Sequence, residues 1–469
     1  MKPFIAKATK TFALITATAL AVSACAADDT EEGTTEQPGG GAQSLTIMVN
    51  AISGGKNAAE ADWIENFVIP GFVEEQAEKG VEVEVTFEPQ GVDDEDFKTK
   101  VALDLNSGGG SDIIGLDGIW TGEFAQAGYI KPLNEVSDIV DDWEGWEQMT
   151  EAVQQALSFE GERYGVPQGS DGRVIYYNKS LFDQAGLPTE WEPTSWDEIL
   201  EAGRALEQLD GVVPIQLNAG TAMGEATTMQ GLLPMLMGTG QLLWENDTWY
   251  GDTQGLRDVL GLYETIYVTE GLGDPILQQE AAGRDTSFQE FAAGNIGMLF
   301  EGDYFWRSVV NPAEGVGTAP MEDRDENVGY ARIPAMSPGS GINGQDFVSM
   351  SGGTGRVLNP NTDNPDLAWE LLAFMNSMEA FEARAAGTLS ISPRQDVNDK
   401  LLASDAMLTY VNTEVLPITA YRPGLAEYPE VSAALQQATL DVVSGTSVDD
   451  AVAKFVESLE SIVGAENVG

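Results

Sequence analysis

The chain has no histidine among its 469 residues, which removes Ser-His-Asp and Cys-His catalysis and nearly every zinc site. Its single cysteine, Cys25, can form no internal disulfide. Gly339-Ser-Gly341-Ile-Asn-Gly344 matches GxGxxG by letter, but no strand signal precedes it and no helix signal follows. Asp323, Asp325 and Asn327 begin like a calcium loop, yet the sixth position is Val328 and the twelfth Pro334, so the loop fails. No phosphate-binding Walker sequence occurs, so any ATPase belongs to a partner. Neither a metal nor a cofactor is expected. What remains is a cleft chemistry of Trp and Tyr plates rimmed by Asp, Asn, Gln and Arg. That set suits a ligand with C–H faces that pack on rings and hydroxyls that both donate and accept.

The elements that must position such groups are legible in order. Leu45-Thr-Ile-Met-Val-Asn50 reads as a buried strand, and Val81 to Phe87 alternates as a half-buried one. Asp96 to Asn106 is helical, and Ile113-Ile114 with Leu116 makes a third strand. This βαβαβ order predicts an α/β lobe with a largely parallel sheet. Asp117-Gly-Ile-Trp120 then lies just past the carboxyl end of the third strand, where open α/β sheets bind ligands. Asp117 and Trp120 are candidates for that reason. Trp143 and Trp146 sit in an acidic helical segment and are read as packing. Arg173-Val-Ile-Tyr-Tyr-Asn178 is a β-branched and aromatic strand, preceded by Tyr164-Gly-Val-Pro167 and followed by a short helix ending at Gly186. Ser195 is the expected cap of a helix through Leu206, with Glu198 as its capping-box partner. Met229, Leu232, Leu233, Met235, Leu236 and Met237 are read as core, and one helix is expected over 366–386.

Acids outnumber bases 76 to 23, for a net charge of −53. Such a field disfavours nucleic acid and anionic lipid as partners. It fits either exposure to high external salt, where a Debye length of roughly 3 Å screens self-repulsion, or a general acidic bias of secreted proteins. The first residues carry Lys2, Lys7 and Lys10 ahead of an apolar run from Phe12 to Val22, which reads as a signal segment over 1–24. Val22-Ser23-Ala24-Cys25 looks like a bacterial lipobox. Cys25 is therefore the expected lipidation site, giving an anchored protein on the extracellular face of the cell membrane, or the periplasmic face if an outer membrane exists. Removing the signal takes three lysines with it and leaves a net −56. Residues 25–43, with five acids and a Gly-Gly-Gly, read as an unfolded tether. No second long apolar run follows, so no membrane span is expected in the mature chain.

Taken together, Tyr164-Gly-Val-Pro167, Tyr176-Tyr-Asn-Lys179, Leu181-Phe182 with Ala185-Gly-Leu187, and Ser195-Trp-Asp-Glu198 resemble the lobe-crossing segment of family 1 extracellular solute-binding proteins. These are the carbohydrate-binding subunits of ABC importers. Gly128-Tyr-Ile-Lys-Pro-Leu133 and the run from Phe288 to Trp306 extend the resemblance, which spans 44–464. The resemblance implies a two-lobed periplasmic-binding-protein fold of type II character. Each lobe would be a mostly parallel sheet flanked by helices, with three crossings: 44–170 and 334–388 in lobe 1, 171–333 and 389–469 in lobe 2. It implies no enzyme but a monomer that captures a sugar or oligosaccharide and hands it to permease subunits. Another polar solute, or a glycosidase using paired carboxylates, is the alternative. Carried over residue by residue, the resemblance makes Asp171 a sugar-hydroxyl acceptor, Trp120 part of the first-lobe binding loop and Tyr304 a stacking ring. Asn218, Gln345, Asp346 and Arg422 are further candidates, and Trp306 is expected to face the core. The chain lacks the stacking Trp of the maltose-binding pattern near Ser432, where Tyr421-Arg422 would substitute.

Overall fold

The computed structural model describes residues 43–92, 94–386 and 389–469. The signal segment, Cys25 and the tether through residue 42 lie outside the described residues, whereas Gln43, counted to the tether by sequence, opens a strand. Two sheets are built from β1 (Gln43–Val49), β2 (Val83–Pro89), β3 (Ile113–Asp117), β4 (Gly165–Pro167), β5 (Arg173–Asn178), β6 (Val213–Gln216), β7 (Ile296–Gly302), β8 (Val328–Pro334), β9 (Phe347–Ser351), β10 (Thr354–Leu358) and β11 (Thr419–Tyr421). The first sheet runs β2-β1-β3-β10-β4 and the second β11-β9-β8-β5-β7-β6.

In the first sheet β1 pairs parallel with β2 and β3, and β10 runs antiparallel to β3 and β4. The continuous apolar run of β1 follows from burial on both faces. Ile47 and Val49 enter a core with Trp63, Phe72 and Trp369, while Met48 faces Phe97, Val101 and Phe124 on the other side. The second sheet is more mixed than expected. β6 with β7 and β9 with β11 are parallel, but β5 opposes both β7 and β8, and β8 opposes β9. The link from β8 to β9 carries only a single 3-10 turn, Ile342–Gly344. Without a crossover helix the two strands must run antiparallel. β5 sits between the two layers of this lobe, with Ile175 and Tyr177 in one core and Val174 and Tyr176 in the other.

The chain passes between sheets at Gln168 to Gly172, between β4 and β5. It passes back at Gly352-Gly353, between β9 and β10, and a third time through the segment containing Ser390 and Ile391. The second passage corrects the sequence reading. Residues 334–351, given there to lobe 1, belong to the second sheet, because β9 pairs with β8 and β11. The passages are knit together: Gln168 N donates to Thr354 O at 3.0 Å and Ser170 N to Ile391 O at 3.2 Å. The single helix expected over 366–386 is two, Pro365–Met375 and Met378–Ala385, the second started by Ser377, whose Oγ accepts from Ala380 N at 3.2 Å. The lobes touch beside the second passage, where Gly424 lines a small pocket with Gly352 and Gly353. The backbone of Gly122, in the first-lobe helix Thr121–Gln126, lies so near Gly424 of the second lobe that a Cβ there would fall 1.6 Å from the Gly424 carbonyl oxygen. Among the described residues no helix is long and apolar enough to cross a membrane.

Candidate functional site

A cavity of about 400 Å³ opens between the lobes above the three passages. Its floor is Gln168 to Asp171, Gly352-Gly353 and Ser390-Ile391. Asp171 is held there by the passage itself. Its Oδ1 accepts from Arg173 Nη1 at 2.6 Å, Ser351 Oγ at 2.8 Å and Gly352 N at 2.9 Å. Burial alone would raise its pKa, but the Arg173 charge and these bonds outweigh it and hold the carboxyl below the usual range. All three bonds end on one oxygen, so the second is left to accept from a ligand.

From the first lobe, Asp117 ends β3 and caps the following turn by accepting from Ile119 N at 3.2 Å. Removal from solvent pushes its carboxyl up against the pull of Arg422. Arg422 spans the cleft. Its Nη2 lies 3.4 Å from Asp117 Oδ1, and its Nη1 donates to Glu225 Oε1 of the second lobe at 3.0 Å. Glu225 also accepts from Tyr428 OH at 2.6 Å and Ser432 Oγ at 2.5 Å. Arg384, on the helix begun by Ser377, reaches down to Gln168 O at 3.0 Å and pairs with Glu60 at 2.6 Å. Glu60 is shared with buried Arg356, whose own pKa burial pulls down to about 10.

The second-lobe wall is built around Gly302, the last residue of β7, which pairs with Arg173. On one side of it, Arg284 Nε and Nη2 grip Glu301 Oε1 and Oε2, both at 2.8 Å. On the other, Arg307 Nε donates to Asp303 Oδ2 at 3.1 Å. Glu301 and Asp303 are 0% and 1% exposed, whereas all three arginines line the cavity. Asp303 Oδ1 is buried without a partner, and burial pushes this carboxyl up to about 6.

The structure brings Asp117, Asp171 and Arg422 to the cavity and leaves the other candidates out of its lining. Trp120 is 5% exposed and packs between Phe97 and Phe124. Once Asp117 caps the turn, Trp120 three residues on falls on the core side of it. Tyr304 is 39% exposed and outside the lining; Arg307 lies over its ring at 5.6 Å. Asn218 is wholly buried behind the wall, where its amide donates to Glu301 Oε1 at 3.1 Å. Gln345 and Asp346 belong to the link before β9: the backbone carbonyl of Gln345 accepts from Gly341 N and that of Asp346 from Ala335 N. Trp306 does face the core, with Nε1 donating to Asp405 at 3.1 Å. Met229, read as core, is buried there but also lines the cavity.

Arg173, Glu225, Gln230, Arg284, Arg307 and Arg384 were not anticipated. The one available signal was scarcity: the sequence has 12 arginines against 76 acids, and five of those arginines line this cavity. None of the lining residues is aromatic.

Two lobes joined by three passages around a polar cleft define a solute-binding protein, and residues 56–380 match the model of the bacterial extracellular solute-binding protein family. The chain belongs to that family. An arabinooligosaccharide-binding protein of Halalkalibacterium halodurans is 29% identical over 57% of this chain and 55% of its own. Among solved structures, a solute-binding protein of Thermotoga lettingae bound with α-D-tagatose is 22% identical, with a TM-score of 0.69 over 90% of this chain and all of the other. The sugar-binding protein of Xanthomonas citri is 18% identical, with a TM-score of 0.70 over 90% of this chain and 98% of its own. At these identities the likeness of the structures establishes the two-lobed fold.

Proposed function

We propose that this protein captures an extracellular carbohydrate in its interlobe cleft and delivers it to the permease of an ABC importer. On this reading it binds without turning its ligand over, acts as a monomer and is held to the outer face of the cell membrane by lipid on Cys25. The observation that carries the reading is Asp171, whose carboxylate is fixed at the hinge through one oxygen and offers the other to the cavity. A hydroxyl donor is the natural complement of such an oxygen. Asp117 and Arg422 join it from opposite lobes, so a bound polyol would be gripped by both lobes on closure. The similarity to sugar-binding relatives supports the same class of ligand.

Calorimetry over a panel of mono- and oligosaccharides tests the reading, with Asp171→Asn as the control variant. A charge-assisted hydrogen bond is worth roughly 1.5–3 kcal/mol, so the variant should bind the best sugar about 10- to 150-fold more weakly. Equal affinity in both proteins removes Asp171 from the site. Oligosaccharides should be recovered intact after long incubation; shortened products would favour a glycosidase with paired carboxylates. Mass spectrometry of the mature N-terminus should find an acylated Cys25, and an unmodified thiol there defeats the anchor.

A further inference from the structure

We propose, building on the carbohydrate reading, that the ligand carries an oxyanion, such as the carboxylate of a sugar acid or the phosphate of a sugar phosphate, which docks on Arg173, Arg284 and Arg307. Three observations carry this. The first is where the cations are. In a chain of net charge −53, five of 12 arginines line one cavity, and none of the eight lysines among the described residues does. A repulsive field at the surface makes an anion an improbable ligand unless the site itself reverses the sign locally.

The second is how the guanidiniums are oriented. Arg284 spends one edge, Nε and Nη2, on Glu301, and Arg307 turns Nε to Asp303. Arg173 commits Nε to Gln230 at 2.9 Å and Nη1 to Asp171 and to Met350 O. Among the described residues, Arg173 Nη2, Arg284 Nη1 and Arg307 Nη2 take no hydrogen-bond acceptor. Glu301 and Asp303, the carboxylate partners of Arg284 and Arg307, are sealed beneath the wall, so there the cavity meets the donors and not their carboxylates; Asp171, the partner of Arg173, stays in the lining. Guanidinium forks match planar carboxylates and phosphates. Arg173 pairs with Gly302 across the sheet, and Arg284 and Arg307 bond the residues on either side of it, Glu301 and Asp303.

The third is the lack of any aromatic ring in the lining. A neutral sugar held mainly by stacking has no plate here, whereas an acidic one needs donors for its anion and acceptors for its hydroxyls. The cavity supplies both, with Asp117 and Asp171 on the hinge and first-lobe side of the guanidinium wall.

The test uses matched ligands that differ only in the anion. Titrations compare D-galactose with D-galacturonate, and D-glucose with D-glucuronate and with glucose 6-phosphate, against the mature protein. The acidic member of a pair should bind at least about tenfold tighter than its neutral partner. That preference should shrink as NaCl rises from about 0.05 to 0.5 M. Whether glucuronate or glucose 6-phosphate wins identifies the oxyanion. Arg307→Gln should reduce the acid-over-neutral ratio about tenfold, while Arg257→Gln, an exposed ion-pair residue away from the cleft, leaves it unchanged. The salt series needs no variant, so it stands even if Arg307→Gln folds poorly. Neutral sugars binding as tightly as their acids overturn this proposal and leave the carbohydrate reading intact. A panel in which neither kind binds overturns both.

Discussion

The first-lobe core and the cleft wall use opposite chemistries, and the contrast explains where this chain spends its aromatic residues. In the core, Trp143 packs edge-on to Trp146 at 5.1 Å and to Trp369 at 5.8 Å, while Trp146 and Trp369 stack at 6.1 Å. Trp120 stacks on Phe124 in the core on the other face of the sheet. Large rings stabilise by the apolar area they remove from water, and a lobe wrapped around one sheet offers them that area. The cleft is assembled from guanidiniums, carboxylates and backbone, with Met229 as one of few large apolar side chains. The cleft presents oriented charge, and the rings hold the lobes that do the orienting.

Three measurements can break or sharpen that contrast. The largest effect is expected from Trp120→Ala, which removes a buried ring from the core and should lower stability by about 3–5 kcal/mol. The folded fraction should bind ligand as wild type does. A variant that melts normally but loses its ligand would return Trp120 to the site.

Next is Asp303, whose folded pKa of about 6 stands above its ordinary 3.8. A group raised in this way favours folding in its neutral form. Its contribution is complete below about pH 4 and is lost as pH climbs through about 6. Asp303→Asn stays neutral throughout, so its stability relative to wild type should improve between pH 4 and pH 7, by up to about 3 kcal/mol for a two-unit shift. A pH-independent difference would mean that the Arg307 pair keeps Asp303 ionised across the range.

The smallest effect is expected at Tyr304, a half-exposed ring under Arg307. Tyr304→Ala should change both stability and affinity by less than about 1 kcal/mol. A loss of affinity beyond tenfold would extend the site to the rim and give the cleft an aromatic member after all.

The fold was largely legible because its strands advertise burial on two faces. β5 alternates Val174 and Tyr176 to one core with Ile175 and Tyr177 to the other, which is why its sequence is apolar throughout. Caps were legible too. Ser195 Oγ accepts from Glu198 N at 3.4 Å, although the returning Glu198 carboxylate takes Thr194 N at 2.6 Å, one residue before the cap. The second passage was misplaced because two strands end alike. β4 closes at Pro167 and then crosses, while β8 closes at Pro334 and stays in its sheet. The true passage, Gly352-Gly353, carries no side chains that could announce it.

At the site, Asp117 and Asp171 could be read because each lies at the end of a recognisable element. The arginine wall could not. Arg173, Arg284 and Arg307 come from a strand, a helix and a turn far apart in sequence, and they meet only when β7 pairs with β5 around Gly302. Linear spacing holds no trace of that pairing.

The bare backbone contact between Gly122 and Gly424 sets how this molecule can change over evolutionary time. Gly122 is locked to the smallest residue by Gly424 in the other lobe, whereas a Cβ on Gly424 itself would meet nothing nearer than the Ser158 carbonyl oxygen at 3.8 Å. A single methyl at Gly122 would have to displace the Gly424 backbone, changing how the two lobes sit against each other with every residue of the cavity lining unaltered. The angle between the lobes can thus be set from a position that never meets the cavity, and the same wedge separates the effect of that angle from the effect of the lining residues.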